Sequence, residues 1–152
     1  DLYPTFNADK SKLYFCSNRD GAQFNIYDVN VDSKLDTESL LSDTSNYEIL
    51  MNSSLSSNAN DKCPFIFENK MVFASDREGG FGGYDLYYSV NINDEWSEPI
   101  NFGEDINTEF DEFRPILINE EVSPTQTMMV FSSNRDGGLG GFDLYFLGID
   151  NE

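Results

Sequence analysis

The run "FASDREGGFGGYDLYY" at residues 73 to 88 returns as "FSSNRDGGLGGFDLYF" at 131 to 146, 58 positions later. The same spacing backward from Ser75-Asp76-Arg77 reaches Ser17-Asn18-Arg19 in "FCSNRDGAQFNIYDV". A period of this length constrains the fold more than any other feature, because a repeated unit that cannot bury its own apolar face must stack on its neighbours. The first copy is two residues shorter in the glycine segment: Tyr27 lies eight positions after Arg19, whereas Tyr87 and Tyr145 lie ten after Arg77 and Arg135. A second register is marked by Pro4 in "DLYPTF", Pro64 in "DKCPFIF" and Pro115 in "DEFRPILI", each leading an apolar segment. Three units follow, at about 1–60, 61–111 and 112–152.

One unit reads as "CPFIFE", a turn at Asn69, "KMVFAS", the glycine segment, "YDLYYSV" and then "EWSEPINF". The first three runs are rich in Phe, Tyr, Val, Ile and Leu and are joined by polar or glycine-rich turns, the pattern of an antiparallel meander with a fourth, outer strand. Pro64 to Ser75 spans 11 positions and Pro115 to Ser133 spans 18, so seven extra residues fall within "NEEVSPTQT". An exposed hairpin loop is expected there, since an insertion inside a strand would reverse its facing pattern. The best helical candidate is 36–50, where Asp36 would cap, but its Ser, Thr and Asn content weakens it. The third unit stops at "FDLYFLGIDNE", before any equivalent of "EWSEPINF". The expected fold is therefore all-β: a partial β-propeller of about three four-stranded antiparallel blades, the last incomplete. Closed propellers have four to eight blades, which leaves three readings: part of a larger protein, a two-chain ring of six blades, or a different compact all-β packing.

Nine Lys and Arg against 28 Asp and Glu give a net charge of −19. That field repels nucleic acid and anionic lipid, so neither is an expected partner. Thirteen Phe, eight Tyr and one Trp supply the apolar bulk for a packed core in spite of the charge. No stretch has the apolar length to cross a bilayer, and an export signal, if the protein has one, is expected to have been removed before Asp1. Cys16 and Cys63 occur without a CxxC spacing and without any histidine, which excludes the common zinc arrangements and every Cys-His pair. Two buried unlinked thiols or one disulfide remain.

The glycines Gly79, Gly80, Gly82 and Gly83 recur as Gly137, Gly138, Gly140 and Gly141. A phosphate loop leads into a helix and commonly carries a lysine; these glycines join two strand candidates beside Glu78 or Asp136, so a tight strand connection is expected. Arg19, Arg77 and Arg135 are three of only four arginines and share one repeat position. Structural pairing is expected for them, with Asp85 and Asp143 as candidate partners; pairing with a neighbouring blade and ligand recognition are the alternatives. Carboxylates are abundant enough to raise glycoside hydrolysis, but Asp85 and Asp143 recur with their strands, as structural residues do. Without histidine or a G-x-S-x-G elbow a serine hydrolase has no basis. No cofactor is expected; calcium is the alternative, through the oxygen-rich "GEDINTEFDE" at 103 to 112, against a solvated acidic loop. Trp96 is expected to anchor the outer strand, with a sugar-stacking platform as its alternative.

"LYFCSNRDG", "MVFASDREGGFGGYDLYY" and "MVFSSNRDGGLGGFDLYF" resemble the PD40, or WD40-like, β-propeller repeats of TolB-type proteins. The resemblance covers nearly the whole chain and is weakest over residues 30 to 54. The fuller pattern "WSEPINFGEDINTEFDEFRPIL" is similar to envelope proteins of Bacteroidetes in which such repeats accompany tetratricopeptide or peptidoglycan-binding OmpA-like domains. Trp96, Pro99, Asn101, Gly103, Ile106, Asn107, Thr108, Glu112 and Pro115 match that pattern, while Ser56-Ser57 stand where Asn107-Thr108 would fall in the preceding unit. The resemblance implies a noncatalytic scaffold or protein-binding module, periplasmic, outer-membrane-associated or at the cell surface, with an envelope protein as partner. Self-association through open blade edges is a further expectation, and a carbohydrate-binding module or a glycan-active enzyme fragment are the alternatives.

Overall fold

The structure, a computed structural model, describes residues 1–150 apart from 33, 35, 44, 45 and 124, with the backbone alone at 37, 40, 41 and 119–123. It is all-β but for one short helix. The first sheet is a meander of β1 (Leu2–Phe6), β2 (Lys12–Ser17), β3 (Asn25–Asn30) and β4 (Ile49–Met51). The second holds β5 (Asp61–Phe67), β6 (Lys70–Ser75) and β7 (Asp85–Ile92), with β8 (Glu95–Trp96) and β9 (Ile100–Asn101) both on the outer side of β7. The third holds β10 (Glu112–Ser123), β11 (Gln126–Ser133) and β12 (Asp143–Asp150), and β12 is its end strand. All pairings are antiparallel and no sheet closes on itself.

Local chemistry corrects two expectations, the outer strand and the insertion, and sharpens two others, the β5–β6 turn and the helix. The outer strand of the second sheet is two pieces. Asn93 and Asp94, both at positive φ (55° and 67°), close a two-residue hairpin pairing Ile92 with Glu95. The Ser97 hydroxyl then accepts the Val90 N–H at 3.0 Å, and Pro99, which has no N–H to donate, delays the ladder until Ile100. The β5–β6 turn falls at Glu68 and Asn69, as the sequence suggests, with Glu68 its left-handed residue (φ 54°). The seven inserted residues do not form a loop: they lengthen the β10–β11 hairpin as far as the Ser123–Gln126 pair, with register shifts on either side of Glu121. Pairing satisfies the backbone groups that a free loop would leave to water, and the bulges absorb the odd residue count. The helix α1 is only Thr37–Ser42; the Asp36 carboxylate caps it, accepting the Ser39 N–H at 2.8 Å.

Each inner strand carries the same bulge. Tyr3 (φ 55°), Cys63 (φ 56°) and Arg114 (φ 53°) all precede a proline, and the register shifts there in β1, β5 and β10. A left-handed residue other than glycine costs roughly 1 kcal/mol or more, so three at matching places are a device of the repeat. β5 packs against both β1 and β10. Across that inner side the Arg114 guanidinium donates to the Tyr3 hydroxyl at 3.0 Å and lies 5.3 Å from its ring centroid, joining residues from the first and third sheets.

Stacking of sheets makes the core, and the two interfaces are built alike. Between the first and second sheets, Tyr14, Ile26 and Leu55 meet Met71, Phe73 and Tyr87. Between the second and third, Val72, Leu86 and Ile106 meet Met129 and Phe131, with Tyr145 packed against the cluster. Full burial of one such aliphatic side chain is worth about 1.5–3 kcal/mol. The opposite face of the first sheet, Phe15, Tyr27 and Val29, is covered by Val31 and Tyr47 from the β3–β4 connection. Cys16 and Cys63 are buried free thiols. Burial raises both above the usual thiol value, and Cys63, with Cys16 adding to the effect, is pushed up to about 12.

Candidate functional site

The three repeated arginines form clamps, and their carboxylate partners are not those the spacing suggested. Arg77 Nε donates to the Ser75 hydroxyl (3.0 Å), and its Nη2 donates to Asp61 Oδ1 (2.6 Å) and to the Leu55 carbonyl (2.9 Å). Arg135 repeats this with Ser133 (3.2 Å), Glu112 Oε1 (3.0 Å) and the Ile106 carbonyl (2.7 Å). Each guanidinium also lies over two rings of its own sheet, Phe73 and Tyr87 or Phe131 and Tyr145. The clamp therefore ties the second and third strands of a sheet to its first strand and to the segment arriving from the sheet before. Asp61 and Glu112 are fully buried, so the pairing compensates two desolvated charges. Arg19 keeps Ser17 and the rings of Phe15 and Tyr27, but its carboxylate is Asp1, at 2.7 Å and 60% exposed.

Asp85 and Asp143 do different work. Asp85 accepts the N–H groups of Phe81 (2.6 Å) and Gly82 (3.1 Å), and Asp143 those of Leu139 (2.8 Å) and Gly140 (3.3 Å). They close the glycine loops. Gly79 and Gly137 supply the left-handed turn at φ 93° and 91°, and a Cβ at Gly80 or Gly138 would fall within 2.5 Å of the capping carboxylate.

The segments running from each outer strand to the next sheet, connectors hereafter, carry the second repeated device. Asn107 turns its amide on the Leu86 peptide: Oδ1 accepts the Leu86 N–H (2.8 Å) and Nδ2 donates to the Leu86 carbonyl (3.0 Å). In the first connector the Ser56 hydroxyl does both for Ile26, at 3.1 Å each way. Thr108 and Ser57 each give a backbone N–H and a hydroxyl to the clamp carboxylate, Glu112 or Asp61. A third pairing exchanges its members: Asn60 meets Asp76, whereas Asp111 meets Asn134. Acceptor oxygens and amide donors are matched either way round, so sequence identity is lost while the geometry is kept.

The third sheet has the same strands without a connector over them. By the 58-residue offset Leu144 corresponds to Leu86, yet Leu86 is 0% and Leu144 78% exposed; Phe142 and Phe146 are exposed as well. The glycines show the same contrast. A Cβ at Gly82 would sit 2.0 Å from the Phe110 carbonyl and one at Gly83 2.2 Å from Asp111, because the connector passes there. At Gly140 and Gly141 a Cβ would meet nothing within 4 Å, and neither residue is left-handed.

At the glycine-loop end, Lys62 lies over Phe24 (4.8 Å) and Tyr84 (5.0 Å), and Tyr84 meets Phe113 edge to face. Tyr84, Phe113, Arg114 and Phe142 line a cleft of about 440 Å³ there. Trp96 is half-buried, its Nε1 donating to the Tyr14 hydroxyl at 3.2 Å across the first interface. In the 103–112 segment the Glu112 carboxylate is committed to Thr108, Ser133 and Arg135. Among the described residues no three His, Cys, Asp or Glu side chains converge as a metal site, and no helix is long and apolar enough to cross a membrane. Sequence reasoning met Asp61, Glu112 and Ser56 only as motif positions and missed their roles; the acid opening each unit beside the recurring proline was the available signal for the first two. No protein-family model matches the chain, and no curated protein matches it.

Proposed function

We propose that the chain is a noncatalytic interaction module of the cell envelope, built from propeller-type blades of the PD40 kind. One observation carries this reading: the side chains with chemical potential at the repeated positions, Arg77, Arg135, Asp61, Glu112, Asp85 and Asn107, are each spent on holding strands and sheets together. Reactive groups consumed in this way leave surface rather than chemistry as the working part, and the surface offers apolar side chains at Leu139, Phe142, Leu144 and Phe146. Three sheets stacked through matching faces, with inner strands meeting at Tyr3 and Arg114, support the propeller arrangement. The periplasmic or outer-membrane placement, and an envelope protein as partner, rest on the resemblance of the repeat motifs.

The test places photo-reactive residues singly at Phe81, Ile92 and Leu144 in the protein within its native envelope. A reproducible adduct with the same envelope protein is expected from at least one position. Absence of any adduct at all three, or turnover of envelope polysaccharide by the purified chain, overturns the reading.

A further inference from the structure

We propose that the cleft between the first and second sheets at their turn end, floored by Tyr14 and Trp96, is a binding site for a saccharide chain that carries no acid groups. The inference goes beyond the protein-binding reading: it assigns a second class of ligand to a separate surface. The third sheet contributes nothing to the lining, so the opening does not depend on the outer strand that the third sheet lacks.

The site stands where the repeat is broken. By the 58-residue offset Tyr14 corresponds to Val72 and Val130, so the stacking of sheets is served elsewhere by an aliphatic side chain and here by a phenol. Tyr14 is 3% exposed and meets Trp96 edge to face, the ring centroids 5.8 Å apart. Its hydroxyl accepts the Trp96 Nε1–H, but its own O–H has no acceptor among the described residues. A buried phenol ordinarily finds a partner for its O–H; this one lines a cleft of about 460 Å³, a volume within the usual range of small-molecule sites. Burial, opposed by the Trp96 hydrogen bond and reinforced by Asp28 and Asp94, raises Tyr14 above the ordinary phenol value, so the hydroxyl remains a donor at neutral pH.

Three turns set polar groups around this floor: β1–β2 brings Asp9, β5–β6 brings Glu68 and β7–β8 brings Asp94, with Asn91 between them. The Glu68 and Asp94 carboxylates and Asn91 Nδ2 make no hydrogen bond among the described residues, and Asp9 commits only Oδ1, to Ser11. Free donors and acceptors about an aromatic floor match sugar hydroxyls, each of which both donates and accepts, while the apolar C–H face of a ring lies against the indole. Three carboxylates against the single ammonium of Lys12, itself 3.7 Å from Asp28, set a negative field. That field disfavours uronic or phosphorylated sugars and accepts uncharged or amino-bearing ones. Trp96 and Asp94 also border a second cleft of about 490 Å³, toward Met51 and Asn52, so a chain of more than one ring can cross the indole from one cleft to the other. A peptide added as a strand is the poorer occupant of the first cleft, because Tyr14 is already paired on both sides, near Thr5 and with Asp28, and Asn91 is paired with Trp96.

Trp96 is the only tryptophan of the chain and therefore the reporter. The test titrates the whole chain with short oligomers of glucose, mannose, glucosamine and galacturonate, following tryptophan emission and, independently, heat by calorimetry. A saturable change is expected with at least one of the first three and none with galacturonate. Tyr14→Phe keeps the ring and loses the O–H, and should weaken binding roughly fivefold or more. Because that change also leaves Trp96 Nε1 without its acceptor, a second variant leaves the core untouched: Glu68→Gln with Asp94→Asn, both on exposed turns, where Asn tolerates the left-handed backbone of position 94. It should weaken whichever oligomer binds by roughly threefold or more. No saturable signal by either method overturns the proposal, as does binding of galacturonate or binding that neither variant weakens. A lysine-rich peptide that shifts the emission when no oligomer does also overturns it, in favour of a basic polypeptide. The envelope adducts expected above are independent of these outcomes, so the two readings fail separately.

Discussion

β7 and β12 carry nearly the same residues at the same places in their sheets, "DLYY" and "DLYF", and the same glycine loop leads into each. On β7, Leu86 is sealed under a connector and the third sheet, and its peptide is bracketed by Asn107. On β12, Leu144 and Phe146 are 78% and 75% exposed, and the outer edge is the end of the sheet. The difference teaches that a repeat position acquires its energetic weight from the neighbour that covers it. Local sequence sets the strand and its facing pattern; the next connector decides whether an apolar residue is core or surface.

The inward clamp is common to both sheets, so the largest effects should not distinguish them. Arg77→Ala and Arg135→Ala each strand a buried carboxylate, and urea denaturation should register a loss of about 3–5 kcal/mol for both. Arg19→Ala, facing the exposed Asp1, should cost about 1 kcal/mol or less. Unequal losses at Arg77 and Arg135 would break the idea that the two clamps are one device. The comparison itself is drawn by Leu86→Ala and Leu144→Ala: about 2–5 kcal/mol for the first and within about 0.5 kcal/mol for the second, measured the same way. Gly82→Ala should cost about 1–3 kcal/mol through its contact with the Phe110 carbonyl, whereas Gly140→Ala should leave the melting temperature of the chain alone nearly unchanged.

The smallest effect concerns the inner side, away from either edge. Because burial raises the Cys16 and Cys63 thiols, both stay protonated at pH 8, and alkylation should be far slower than for an unfolded control. The sign follows from the thiolate being the nucleophile: the native rate should rise with pH well past the usual thiol value, Cys63 reacting last. Rapid labelling of both in the native state at pH 8 would show that the inner strands open.

Much of the fold was legible because β-strands announce themselves by apolar alternation and the 58-residue period fixed β2, β3, β6, β7, β11 and β12 together. The outer strand of the second sheet was harder, since Ser97 and Pro99 interrupt a ladder that the motif shows as one run. The clamp partners were hidden by arithmetic. Asp85 and Asp143 follow their arginines at a constant eight positions, whereas Asp61 and Glu112 precede theirs by 16 and 23, the seven-residue insertion having broken the period. Contact across a sheet depends on register, and register survives an insertion that hairpin extension absorbs. Ser56 was legible only as a departure from Asn107, because one hydroxyl and one amide look unlike in sequence while both donate and accept. The cover over Phe15 and Tyr27 was illegible for another reason: Val31 and Tyr47 come from the segment least like the rest of the chain.

The central claim, that β12 is a β7 without its cover, is tested most directly by amide hydrogen exchange read residue by residue at Ile26, Leu86 and Leu144. The account predicts slow exchange at Ile26 and Leu86, whose N–H groups are held by Ser56 and Asn107, and exchange at Leu144 faster by orders of magnitude. Equal protection at all three would mean that the third sheet is covered in solution and would contradict the account.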